Sequence, residues 1–158
     1  MNFQTMSKQR KFVLIAAAVG LISCFLPWYT VSAFGYSESV NGMHSWGLLA
    51  FGGFIAAGVA AFMGDQTKTM AQTYWFVALA CSALAVLGVL LFFLRVSSYT
   101  GGFGGANAGY GFGIFIAAIA AIGALGSAYM FRNPGDSIKS GFDSLKSDIE
   151  SKSNTPAS

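Results

Sequence analysis

Four long apolar runs, at residues 12–30, 46–63, 74–95 and 112–131, constrain this chain more than any other feature of its sequence. Each approaches the roughly 20 residues that an α-helix needs to cross about 30 Å of hydrocarbon. Charges are sparse: 9% of the 158 residues are Asp, Glu, Lys or Arg, against about 25% in an ordinary soluble domain. That is too few to coat a water-soluble globule, and with 54% hydrophobic residues a bilayer is the natural solvent. The expectation is an all-α membrane protein, a four-transmembrane-helix bundle with a small extracytoplasmic β-hairpin and a short amphipathic C-terminal helix. Residues 1–131 form the transmembrane domain of this reading and 132–158 a cytoplasmic amphipathic and disordered tail.

Orientation follows from the cations that flank the runs. Lys8, Arg10 and Lys11 precede the first, Lys68 lies in the second connection and Arg132 follows the last, whereas the first connection holds no Lys or Arg. Lys and Arg accumulate on the cytoplasmic side, so both termini are expected there, in a multi-pass protein of the cell membrane such as the bacterial inner membrane. Aromatic belts fit the same scheme, with Trp28, Tyr29, Trp46, Tyr99 and Tyr110 near one face and Tyr74, Trp75, Tyr129 and Phe131 near the other. An alternative reads the first run as a cleaved signal, since Leu21-Ile22-Ser23-Cys24 loosely resembles a lipoprotein cleavage box that would leave Cys24 lipidated. Cys24 and Cys81 both sit within apolar runs at different depths, and no disulfide between them is expected.

The stretch FLPWYTVSAFGYSESVNGMHSWG, residues 25–47, breaks the apolar pattern. Pro27 disfavours helix for the residue before it. Tyr29, Val31 and Ala33 then alternate with Thr30 and Ser32, the period of a strand. Gly35 supplies a tight reversal, and Asn41-Gly42 is a further turn signal. A short hairpin over 29–41 is expected on the outer face, with an irregular loop as the alternative. Two strands alone are marginal in water, so the hairpin must lean on something. The glycine-rich connection SSYTGGFGGANAGYG, residues 97–111, is either that support or a flexible linker. It lacks the strand and helix context of a phosphate-binding loop.

Small residues recur at four-residue spacing: Gly52, Ala56 and Ala60; Gly53, Ala57 and Ala61; Gly113, Ala117 and Ala121; Ala120, Ala124 and Ala128. Such stripes let helices approach closely where lipid gives no hydrophobic drive, either within the bundle or on an oligomer face. Ionisable residues at depth, which would mark a pathway or a reaction centre, are almost missing. Arg95 borders a run on the outer side and can snorkel or pair with Glu38, the only acid in either outer connection. His44 is the only histidine, and its loop position suits a solvated residue better than a metal ligand. No nucleophile–base pair or ligand cluster can be assembled, so neither an enzyme nor a cofactor or metal site is expected. A net charge of +3 spread over scattered cations gives no nucleic-acid surface.

After Asn133-Pro134-Gly135, the residues Ile138, Phe142, Leu145 and Ile149 form an amphipathic helical stripe, capped by Asp136 or Ser137 and weakened by Gly141. Lys139 with Asp143 and Lys146 with Glu150 stand at i,i+4, a supportive spacing. The stripe suits a membrane surface or a partner.

A basic N-terminus followed by FLPWYTVSAFGYSESVNG, a glycine-rich second run and a glycine-tyrosine approach to the fourth resembles uncharacterised small bacterial four-span membrane proteins. In these an LPW-type helix end leads to an outer hairpin. The outline is also similar to claudins, whose four helices carry a small outer sheet, although the paired outer-loop cysteines of claudins have no counterpart here. The resemblance implies no active site.

These features together imply a structural or interaction protein of the membrane, a subunit of a homo-oligomer or of a larger envelope complex, whose partners are the lipid bilayer and other membrane proteins. The alternative is a small-solute or ion-conducting oligomer. The candidate outer interaction residues are Trp28, Tyr29, Gly35, Glu38, Trp46, Arg95, Tyr99 and Tyr110, and the candidate tail residues are Ile138, Phe142, Leu145 and Ile149.

Overall fold

A computed structural model of the chain describes residues 3–33, 35–100, 107–135 and 137–153. After a 3₁₀ turn at Phe3–Thr5, the elements are α1 (Lys8–Phe25), β1 (Pro27–Ala33), β2 (Tyr36–Asn41), α2 (Gly47–Phe62), α3 (Gln72–Thr100), β3 (Asn107–Tyr110), α4 (Phe112–Met130) and α5 (Ile138–Ser153).

Local chemistry sets the boundaries. Pro27 forces Leu26 to an extended ψ of 158°, because the ring of a proline clashes with a helical predecessor, so α1 stops at Phe25. At the end of α2, Gly64 takes a φ of 81°, the left-handed geometry in which helices commonly terminate. Ser137 and Ser140 cap α5 reciprocally: Ser140 N donates to Ser137 Oγ at 3.2 Å and Ser137 N to Ser140 Oγ at 3.0 Å. Asp136, the other expected cap, lies outside the described residues.

The expected four-span bundle is corrected by this structure. Five helices are present among the described residues, and two of them, Gln72–Ser97 within α3 and Phe112–Met130, are long and apolar enough to cross a membrane. The other two apolar runs overstated their helices. Of 12–30, residues from Pro27 onward belong to β1, and α1 opens instead on Lys8, Arg10 and Lys11. Of 46–63, α2 keeps 16 residues, about 24 Å at 1.5 Å per residue and short of a 30 Å core. The outer element is a sheet of three strands in the order β2-β1-β3, not an isolated two-stranded hairpin.

α1 packs on α2 and α4, and α3 packs on α2, α4 and α5. Alanine and glycine make the close approaches possible: a Cβ on Gly53 would stand 2.7 Å from the carbonyl oxygen of Cys81, and one on Gly88 would stand 2.5 Å from the backbone nitrogen of Ala50. The stripes Gly53-Ala57-Ala61, Gly113-Ala117-Ala121 and Ala120-Ala124-Ala128 are buried, whereas Gly52 is exposed. Two clusters fill the interior. One, nearer the sheet, gathers Trp28, Phe54, Phe92, Val96 and Ile114; the other gathers Val13, Ala57, Met70, Trp75 and Ala128.

Candidate functional site

The sheet-capped end is built outward from Trp28. Its indole is fully buried and donates from Nε1 to the Ser23 carbonyl at 2.8 Å, a last-turn carbonyl of α1 that also accepts from Leu26 N at 3.1 Å. The ring meets Phe92 of α3 edge-on with centroids 5.0 Å apart. Trp28 is therefore a core residue that fastens the first strand to α1 and α3, not a belt residue at a water interface. Trp75, expected in the opposite belt, is likewise buried and donates to the Ala128 carbonyl at 2.7 Å.

β1 is the central strand because both neighbours need it. Tyr29 pairs with Val40 on one side and with Tyr110 on the other, and Val31 pairs with Glu38 and Ala108. The ladder continues past β3 through Gly111 N, which donates to the Trp28 carbonyl at 2.9 Å. Thus part of the glycine-rich connection supplies a third strand, while its residues 101–106 lie outside the described residues. Gly35 closes the β1–β2 reversal at a φ of 85°, a conformation glycine adopts without the Cβ penalty. Tyr110 stacks on Phe93, with centroids 4.2 Å apart and planes 3° from parallel.

The other expected outer residues are spread over this end. Glu38 is exposed on β2, and Trp46 is half exposed just ahead of α2. Arg95, near the end of α3, shares a cleft with Tyr29. Tyr99 is in the last helical turn of α3, and its side chain lies outside the described residues. His44 meets Asn41 Oδ1 through Nδ1 at 2.9 Å. Among the described residues no group of three or more His, Cys, Asp and Glu gathers that could hold a metal ion.

At the opposite end Gln9 and Arg10 form a buried polar network with backbone groups of three other segments. Arg10, 1% exposed, donates from Nη1 to the carbonyls of Ala61 at 2.8 Å and Met63 at 2.6 Å, and from Nε to that of Lys68 at 3.0 Å. It thereby serves the last carbonyls of α2 and the turn into α3. Burial pulls the guanidinium below its ordinary pKa, and the charge of Asp65, then Tyr74, opposes that pull. Gln9 donates from Nε2 to Ala128 at 3.1 Å and accepts from Met70 N at 3.0 Å, tying α1 to α4 and to the approach of α3. In the sequence Arg10 reads only as a topogenic charge and Gln9 carries no signal, because no local pattern marks their backbone partners.

α5 docks on the start of α3 through its small and polar residues. Gly141 meets Phe76, where a Cβ would come within 2.9 Å of the Phe76 Cβ. Gln72 Nε2 donates to Ser140 Oγ, Ser144 Oγ donates to Gln72 Oε1 at 3.2 Å, and Thr73 Oγ1 donates to Asp148 Oδ2 at 2.9 Å. Consequently Ile138, Phe142 and Ile149 remain exposed, with Leu145 half-buried beside them, although Phe142 touches Phe76 at its edge. The glycine expected to weaken α5 is the point at which it can approach α3.

Set against protein-family models, curated proteins and solved structures, the chain matches none.

Proposed function

We propose that this chain is an integral membrane protein with a structural or interaction role, a subunit of a homo-oligomer or of a larger envelope complex. Its sheet faces the outside and both termini face the cytoplasm. The observation that carries the reading is the outward face of the two long helices. Leu84, Leu87, Leu90 and Leu94 on α3 and Phe115, Ile119 and Ile122 on α4 point away from the interior, with Leu94 63% and Ile119 73% exposed, while the interior is lined largely by alanine. In water so much apolar surface is a liability; in lipid it is the solvated face. The close alanine and glycine contacts between helices favour a static component over a wide channel inside one protomer.

Two measurements test this. With Cys24 and Cys81 replaced, a cysteine at Ser39, exposed on β2, should react with an impermeant thiol reagent in intact cells, and one at Ser153, exposed at the end of α5, should not. Reaction at 153 from outside overturns the orientation. The purified protein in liposomes should leave an ion gradient intact and give cross-linked species larger than one chain; collapse of the gradient would replace this reading by a conducting oligomer.

A further inference from the structure

We propose that the cleft between the sheet and the end of α3 binds an anionic phospholipid, with its phosphate at Arg95 and the first part of an acyl chain on the cleft floor. The inference rests on the membrane reading above.

The cleft is lined by Tyr29, Val40, His44, Ser45, Phe92, Arg95 and Val96 and measures about 270 Å³. That is just short of the roughly 300–1,000 Å³ of sites that engulf a whole drug-sized ligand, so it suits one end of a larger molecule. Its floor is apolar, from the buried Phe92 and Val96 and the half-buried Tyr29 and Val40. Its rim is polar: Arg95, His44 and Ser45 are exposed there. A cation above an apolar floor fits an amphiphile with a negative head.

Three features select a phospholipid. Phe92 and Val96 of the floor belong to the last turns of the stretch Gln72–Ser97 that is long and apolar enough to span, which puts the cleft at the depth where head groups meet acyl chains. Arg95 brings five N–H donors, enough to hold a phosphate in the bidentate manner that arginine favours beside its contacts with the protein. His44 on the same rim is held in place by Asn41, whose Oδ1 accepts from Nδ1. Ser45 beside it holds a φ of 53°, the one positive φ outside glycine among the described residues. Such backbone strain persists where the surroundings impose it, and it clusters at binding sites.

The test uses the full chain purified in a neutral detergent and native mass spectrometry with three probes: dioleoyl-phosphatidylglycerol, dioleoyl-phosphatidylcholine and oleate. The phosphatidylglycerol adduct should dominate and should weaken about 10-fold or more in Arg95→Gln. Ser45→Asp, an exposed change to a residue that tolerates positive φ, should weaken it similarly by placing a negative charge on the rim. This second variant keeps the test decisive should Arg95→Gln unfold. Equal binding of phosphatidylcholine, or adducts indifferent to both variants, overturns the proposal; preferential binding of oleate overturns the phospholipid assignment. Alkaline carbonate extraction of membranes separates the two readings. Protein in the pellet without selective adducts sinks only the lipid site, whereas protein in the soluble fraction sinks the membrane reading and the site with it.

Discussion

The two ends of this molecule solve the same problem differently. Each buries a tryptophan whose indole donates to a carbonyl in a helical last turn: Trp28 to Ser23 at the sheet end, Trp75 to Ala128 at the other. Around Trp28 the remaining backbone groups are satisfied by a three-stranded ladder and by close backbone approach. A Cβ on Gly113, for instance, would stand 2.9 Å from the Pro27 carbonyl oxygen. Around Trp75 no strand is present among the described residues, and the helix-end carbonyls are met by the side chains of Gln9 and Arg10. A ladder spreads its hydrogen bonds over many residues, whereas a side-chain clamp concentrates them in two. The inner end should therefore fail abruptly and the sheet end gradually.

Arg10→Met should produce the largest loss. Three carbonyls, those of Ala61, Met63 and Lys68, would lose a charged donor at once. Hydrogen bonds to charged groups contribute about 1.5–3 kcal/mol each and do not add fully, so a destabilisation of ~3–5 kcal/mol is expected in thermal unfolding in detergent. Arg10→Lys, which keeps charge without the planar fork, should recover only part of it. A loss below about 1 kcal/mol for Arg10→Met would show that water reaches these carbonyls and that the contrast between the ends is false.

At the sheet end, Gly42→Ala comes next. Its Cβ would fall 2.6 Å from Cζ2 of the buried Trp28 ring, and overpacking of this kind costs about 1–3 kcal/mol. Gly35→Ala is the internal control: nothing stands within 4 Å of its Cβ, and only the φ of 85° opposes it, at about 1 kcal/mol. Limited proteolysis from the outside should cut between residues 29 and 41 faster in Gly42→Ala than in Gly35→Ala. The reverse order would mean that the turn, not the indole, holds the sheet.

This contrast also explains what could be read in advance. β1 was visible because alternation in Tyr29-Thr30-Val31-Ser32 and the break at Pro27 are local signals. β3 was not visible as a strand, because Asn107-Ala108-Gly109-Tyr110 has neither alternation nor strand-favouring composition; it exists because β1 offers an edge. The run 12–30 misled because hydropathy does not distinguish a helix from a strand, so Trp28 and Tyr29 were counted as membrane span. Arg10 and Gln9 act on partners 51 to 119 residues away, beyond the reach of any spacing rule. The stripe of α5 was legible, yet the face that docks is the Gly141, Ser144 and Asp148 side, since close approach to Phe76 needs a missing side chain more than an apolar one.

The smallest expected effect tests whether the inner clamp is pH-sensitive. Arginine stays protonated across the accessible range, so any response must come from its neighbour Asp65 on the turn after α2. The Thr67 hydroxyl, at 2.7 Å, and then the Thr67 amide, at 3.0 Å, donate to Asp65 Oδ1 and hold its carboxyl below the usual carboxylate range; Lys68 and Arg10 add to this. A carboxyl depressed in the folded state is protonated first in the unfolded chain, so the stability it contributes is present above the unfolded pKa of about 3.9 and disappears as pH falls through the folded value. Asp65 is exposed and screened by solvent, so the contribution is small. The melting temperature of Asp65→Asn should lie slightly below that of the native chain near neutrality, and the gap should close under acid, below about pH 4. In an Arg10→Met background the same gap should persist at reduced size, because the Thr67 bonds remain while the Arg10 charge is gone. A gap that survives unchanged at acid pH would assign the Asn effect to the turn geometry, and a gap abolished by Arg10→Met would make Asp65 part of the clamp itself.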